Sequence, residues 1–246
     1  LYGYAILSNH FHLIVRYDPT AADSWSNEEV ANRWEEAAAC QSTSSRNNRE
    51  SARKARHEAM LRDPERLARA RAALGSLSMF MKHLKQPIAW RANREDGCSG
   101  HFFDSRFYSG ALLDQRALIA AMAYVDLNPV RAGAAATAIK AQHTSLARRL
   151  GEVEADEQRL RAYLAPLVDG LGAGACDPVS IPIRLDAYVQ LVESLARAPQ
   201  APQDQHRRWF HRVAAFRHRQ RAYGARECLI AWGRERGWSR LGVSLA

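Results

Sequence analysis

Tyr2-Gly3-Tyr4-Ala5-Ile6-Leu7-Ser8-Asn9-His10-Phe11-His12-Leu13-Ile14-Val15-Arg16-Tyr17 is the stretch whose reading decides the fold. Two β-rich runs, Tyr2 to Leu7 and His10 to Tyr17, flank the polar pair Ser8-Asn9. A two-residue polar break between such runs predicts an antiparallel hairpin, although the favoured Asn-Gly pair is not used here. Side chains alternate along a strand, so His10 and His12 share one face, while Phe11, Leu13 and Val15 are expected to pack on the other. Two neutral imidazoles at i and i+2 can hold adjacent positions of a divalent ion. The same pair can also stand on the solvated face of a hairpin, so this spacing alone leaves both readings open.

Outward from the hairpin, Asp18 to about Leu74 is rich in Ala, Arg, Glu and Ser, with helices expected around Glu28 to Ala39 and Pro64 to Leu74. The polar, low-complexity run Gln41 to Arg56 between them reads as mobile. Leu77, Phe80, Met81, Leu84 and Ile88 recur at helical spacing and predict an amphipathic helix, kinked or divided at Pro87. His101 to Ser109 alternates Phe103 and Phe107 with Asp104 and Arg106 and reads as a further strand. Asp114 stands where it can cap a helix running to Leu127, with Pro129 as the stop signal. Beyond Leu150 the pattern is helical, with Gly170 to Pro182 and Pro199 to Gln203 as linkers. The order predicts an α+β fold: a core domain over 1–150 with a helical insertion at about 18–75, then a helical, basic C-terminal region over 151–246.

Charge narrows the partners. Lys and Arg number 35 against 26 Asp and Glu, a formal +9, so polyanions are favoured, nucleic acid ahead of an anionic membrane surface. No run approaches the roughly 20 apolar residues of a membrane span, and no secretory signal is visible, so a soluble, cytoplasmic protein is expected. Cys40, Cys98, Cys176 and Cys228 form no Cys-x-x-Cys pair, which predicts free thiols and argues against a zinc cage or a disulfide framework. The segment His206 to Arg226 carries seven Arg and three His without an acid, interleaved with Trp209, Phe210, Phe216 and Tyr223. Arg207, Arg208, Arg212 and Arg217 could bind backbone phosphates while the aromatics stack on unpaired bases, or the segment could be a surface helix with its aromatics buried. Lys82, Lys85, Arg106 and Arg131 are further candidate phosphate contacts.

At about 100° per residue, Leu118, Met122 and Val125 form the core stripe of the helix after Asp114. Tyr124 lies on a different face, near its i+4 neighbour Asn128, among Ala117, Ala120 and Ala121. Such small neighbours would leave room for a substrate strand; alternatively the tyrosine packs against another layer with its hydroxyl bonded. Asp126, near the helix C-terminus, opposes the macrodipole and is expected to pair structurally with a cation such as Arg131, in preference to a metal role.

Tyr4-Ala5-Ile6-Leu7-Ser8-Asn9-His10-Phe11-His12-Leu13-Ile14-Val15 resembles the His-hydrophobe-His (HUH) signature of REP-associated and related single-tyrosine transposases. Ala123-Tyr124-Val125-Asp126-Leu127-Asn128-Pro129-Val130-Arg131-Ala132 resembles their tyrosine-helix motif, and Arg94 to Phe107 and Ser109 to Asp114 look like a longer-chain bacterial branch. The resemblance covers about Tyr2 to Leu150. It implies a ferredoxin-like core, an antiparallel sheet with helices on it, whose first strand and helix precede Leu1. It further implies that His10 and His12 bind Mg²⁺ or Mn²⁺, with Asn128 at the position of a third amide ligand and Tyr124 as the nucleophile. The implied activity is cleavage and rejoining of single-stranded or hairpin DNA through a 5′-phosphotyrosine, with a homodimer left open. Phe102-Phe103-Asp104 stands where a Trp is common, and Pro87 interrupts a helix usually free of it. Two rivals remain: a DNA-binding regulator of the same fold without catalysis, and a replication or conjugation nickase of the same superfamily.

Overall fold

A computed structural model of the chain describes residues 1–39, 46–151, 163–168, 180–197 and 204–238. In chain order these contain β1 (Gly3–Ile6), β2 (Phe11–Ile14), a 3-10 turn at Ala21–Ser24, α1 (Asn27–Ala39), α2 (Arg46–Leu61), α3 (Pro64–Leu74) and α4 (Leu77–Glu95). There follow β3 (Ala111–Leu112), α5 (Gln115–Asp126), α6 (Asn128–Arg131), α7 (Ser145–Leu150), α8 (Leu185–Arg197), α9 (Asp204–Ala215), β4 (Ala222–Tyr223) and α10 (Arg226–Arg234). The fold is mixed α and β, mostly helical with a small antiparallel sheet, as an α+β reading requires. Packing divides the chain into two units, one of Leu1–Arg16 with Tyr108–Ala246 and one of Tyr17–Phe107.

In the first unit β1 and β2 pair antiparallel, with Gly3 opposite Ile14 and Ala5 opposite His12. The hairpin turns at Ser8-Asn9, where the Leu7 N–H donates to the His10 carbonyl at 2.9 Å. Its buried face differs from the expected one. Ile14 is the buried residue of β2, while Phe11, Leu13 and Val15 are only half-buried, so the face that carries His12 is the one turned to the core. Helix α5 packs on that face against both strands. A Cβ at Gly3 would come within 3.4 Å of Ile14 Cδ1 and 3.7 Å of Met122 Cγ, so the glycine lets strand and helix approach closely.

Asp114 caps α5 by accepting the Ala117 N–H at 2.8 Å. Eight of the residues of this twelve-residue helix are buried, because β1, β2, α8 and α9 cover it from several sides. Ala117, Ala120 and Ala121 are among them, so the strip expected to admit a substrate strand is filled by protein, while Leu118 of the expected core stripe is half-buried. Leu127 keeps right-handed helical angles, and Asn128 opens the short helix α6 with Pro129 in its first turn, where a missing N–H breaks no helix bond. The proline thus restarts the helix where it was expected to end it. Residues on both sides of position 150 share one core: Met122 and Leu127 cluster with Leu146, Ile181, Tyr188, Val192 and Val213. The parallel pair β3 and β4 joins Ala111 to Ala222 and Leu112 to Tyr223.

The second unit has its own core of Val30, Ala31, Met60, Leu67 and Ala70 from α1, α2 and α3. The run expected to be mobile is helical from Arg46, and residues 40–45 lie outside the described residues. Its Arg, Ala, Glu and Lys are good helix formers, and Arg56 holds the buried Glu35 of α1 at 2.9 Å. Helix α4 continues through Pro87 as one element, capped by Ser76, yet it buries only Met81 of its apolar stripe, leaving Phe80 and Ile88 exposed. His101 to Ser109 forms no strand. Its side chains are used otherwise: the Lys85 ammonium lies 4.2 Å from the Phe103 ring centroid and donates to the Ser105 carbonyl at 3.1 Å. Among the described residues no helix is long and apolar enough to cross a membrane, and Cys98 and Cys228 are free thiols. Cys40 and Cys176 lie outside the described residues.

Candidate functional site

The edge of β2 and the α5–α6 junction meet in one cluster. The His10 and His12 rings stand edge to face with centroids 5.2 Å apart, and the His12 and Tyr124 rings do the same at 5.8 Å. The Asn128 side-chain amide donates to His12 Nε2 at 2.5 Å. Tyr124 and Asn128 arrive together because four residues separate them along nearly continuous helix, so they lie on one side of it. His10 is exposed, whereas His12, Tyr124 and Asn128 are half-buried.

Electrostatics suit His12 to act as a lone-pair donor. Burial, with the neighbouring His10 as a second cause, pushes its pKa down to about 4, so the imidazole is neutral at physiological pH. His10 Nδ1 lies 2.6 Å from Asn9 Oδ1; donation from Nδ1–H leaves Nε2 as the lone-pair nitrogen. Asn9, in the run that precedes the two histidines, orients the His10 ring, a contact that residue spacing alone does not signal. Two imidazoles and an amide are a donor set that a divalent ion could use once the Asn128 amide gives up its bond to His12 Nε2 and turns its oxygen to the site. Among the described residues no group of three or more His, Cys, Asp or Glu is gathered, so a third protein ligand here would be the Asn128 amide oxygen.

Arg131 does not pair with Asp126. Its guanidinium lies 5.1 Å from the Tyr124 ring centroid. Asp126 is fully buried and accepts from Ser145 Oγ at 2.9 Å, the Leu146 N–H at 3.1 Å and the Tyr188 hydroxyl at 2.6 Å. Burial outweighs these bonds and the nearby Arg149 charge, raising the carboxyl to about 6. The ion-pair expectation fails because α7 and α8, far along the chain, bring neutral donors that charge counting on one helix does not see.

No protein family, curated protein or solved structure compared with the chain matches it.

The C-terminal segment reaches the same cluster. Phe216, the residue that follows α9, stands 5.7 Å from the Tyr124 ring and is stacked on Tyr223 at 4.1 Å. Its aromatic character was legible in the sequence, its destination was not. Arg207, Arg208 and Arg217 are exposed, and Arg212 lies 5.6 Å from the Trp209 ring. Lys82, Lys85 and Arg106 belong to the other unit, where Lys82 and Arg106 are exposed and Lys85 is held as described above. Tyr108 has its hydroxyl tied to the Gln220 carbonyl and to Tyr223, and burial raises its pKa well above the ordinary phenol value. Among the described residues the Tyr124 hydroxyl makes no such bond.

Proposed function

We propose that this chain cleaves and rejoins single-stranded or hairpin DNA as a single-tyrosine transposase of the HUH type, or a domesticated relative of one, with Tyr124 as nucleophile. The observation that carries this reading is the meeting of His12 and Asn128, 116 residues apart in sequence, beside the ring of Tyr124. The packing of α5 across the β1–β2 hairpin supports a ferredoxin-like core as the finer description of the fold.

His10, His12 and Asn128 fit a divalent ion such as Mg²⁺ or Mn²⁺, which when bound would withdraw charge from a phosphate oxygen. The two imidazoles would supply ring nitrogens, and Asn9 fixes the ring of one. The Tyr124 phenol loses its proton to solvent and its oxygen attacks phosphorus. The bond from phosphorus to the 3′-oxygen breaks, and that oxygen takes up a proton. The products are a 5′-phosphotyrosine and a free 3′-hydroxyl, and the reverse attack rejoins a strand without an external energy source. The Arg131 guanidinium, 5.1 Å from the Tyr124 ring centroid, is a cation placed to meet the negative charge of a phosphate under attack.

The test is incubation of the protein with hairpin-bearing oligonucleotides and Mn²⁺, followed by denaturing electrophoresis. A protein–DNA adduct is expected, and Tyr124→Phe should abolish it while leaving DNA binding within about twofold, since only the phenolic oxygen is lost. An adduct that persists in Tyr124→Phe removes Tyr124 as nucleophile. The direct bond between Asn128 and His12 also suits a regulator of the same fold that binds DNA without cutting it. Tight DNA binding with no adduct on any oligonucleotide and no Mn²⁺ binding would favour that reading.

A further inference from the structure

We infer that Arg131, Arg217 and the ring of Phe216 form a subsite against Tyr124 that takes one backbone phosphate of a single-stranded polynucleotide. The inference rests on the reading of Tyr124 as the nucleophile, and it makes the C-terminal segment part of the reacting site. Arg131 comes from α6 and stands 5.1 Å from the Tyr124 ring. Phe216 comes from the far end of α9 and stands 5.7 Å from the same ring. Arg217 follows directly, held in the last turn by its N–H on the Ala214 carbonyl at 3.0 Å.

Two features point to an anion there. Arg131 reaches the Tyr124 ring from α6, and Phe216, the chain neighbour of Arg217, reaches the same ring from the end of α9, so two cationic residues arrive at one ring; burial first and the Arg217 charge second depress the Arg131 pKa, in keeping with that placement. Neither has a carboxylate partner among the described residues. Two guanidiniums held together without a counter-charge are unfavourable until an anion joins them, and their planar forks suit the oxygens of a phosphate. The arm that carries Arg217 is braced from behind. Phe216 stacks on Tyr223, whose hydroxyl donates to the His218 carbonyl at 2.8 Å.

A polynucleotide is favoured over a small anion because the cations continue beyond this pair. Arg207, Arg208, Arg219 and Arg221 are all exposed, which suits a repeating phosphate backbone. The half-buried Phe216 ring beside the pair offers an apolar edge to a base.

The experiment measures binding of a fluorescent single-stranded oligonucleotide by anisotropy, using the full chain carrying Tyr124→Phe, without metal. Chemistry is thereby excluded, so failure of the nucleophile reading cannot mimic failure of the subsite. Arg131→Gln and Arg217→Gln should each weaken binding about tenfold, and the double variant should fall well short of the hundredfold product, because both side chains serve one phosphate. Arg208→Gln should instead multiply with either. Neither arginine side chain makes a hydrogen bond or ion pair among the described residues, so these variants should melt close to the parent; Arg217→Lys, which keeps charge without the fork, should restore only part of the loss. Multiplicative losses for the pair, or no loss, would overturn the inference. Competition by inorganic phosphate at matched ionic strength that is lost in the double variant, with oligonucleotide affinity unchanged, would reassign the pair to small anions and overturn it equally.

Discussion

Replacing Asp126 with Ala should cost the fold about 2–3 kcal/mol at pH 7, and the size follows from two opposing effects. Removal strands three donors: Ser145 Oγ, the Leu146 N–H and the Tyr188 hydroxyl, all with buried residues. Each buried donor left without an acceptor costs about 1–3 kcal/mol, so about 5–6 kcal/mol is at stake with some relaxation. Against this, the native carboxyl is raised from 3.8 to about 6, which means that the ionised form is disfavoured by about 3 kcal/mol, and this penalty disappears with the side chain. The donors win. Asp126→Asn keeps acceptors for Ser145 and Leu146 and carries no charge, so it should lie within about 1 kcal/mol of the parent at pH 7. The pH dependence carries the sharper test. A carboxyl with a raised folded pKa gives the native state an advantage that is full below 3.8 and lost as pH rises through about 6. The parent should therefore lose up to about 3 kcal/mol relative to Asp126→Asn between pH 4 and pH 7. Urea unfolding followed by far-ultraviolet circular dichroism at pH 4, 5.5 and 7 measures both differences. An Ala variant within about 0.5 kcal/mol of the parent at pH 7, or a parent-to-Asn difference that stays level with pH, would refute the reasoning.

The remaining expectations concern the site and its supports. His10→Ala combined with His12→Ala should lose Mn²⁺ binding in calorimetry and adduct formation together, while the melting temperature stays within a few degrees, because His10 is exposed and His12 only half-buried. Gly110→Ala should destabilise by about 1–3 kcal/mol in thermal denaturation, since its Cβ would lie 2.7 Å from the Tyr223 ring and 2.8 Å from the Gln220 carbonyl oxygen. Ending the chain after Gly170 should prevent folding of the first unit, visible as loss of amide hydrogen-exchange protection across α5. Tyr188, Leu191, Val192, Leu195 and Val213 fill the core around α5, and Tyr188 bonds Asp126. Because the second unit keeps its own core in the truncated chain, the outcome that would show the core around α5 to be dispensable is retained amide hydrogen-exchange protection across Gln115–Asp126.

Much of the local structure was legible because its causes lie within a few residues. The turn at Ser8-Asn9, the caps Asp63, Ser76 and Asp114, and the four-residue spacing of Tyr124 and Asn128 are each decided by short-range geometry. Where local signals have rivals, tertiary partners decide between them. Polar composition suggested mobility for a stretch that is helical from Arg46, since the same residues are strong helix formers and find charged partners on α1. Alternation over His101 to Ser109 suggested a strand, but a strand needs a partner, and Lys85 engages Phe103 and the Ser105 carbonyl.

From the sequence alone came the hairpin, the paired histidines on one face of it, and a tyrosine and an amide together on one helix. Only the tertiary structure decided that the histidine face is the one packed on α5, that Asp126 answers to Ser145, Leu146 and Tyr188, and that Phe216 ends beside Tyr124. Period and capping act along the chain, whereas these contacts join residues up to 116 positions apart and are selected by how the helices fill one core around α5.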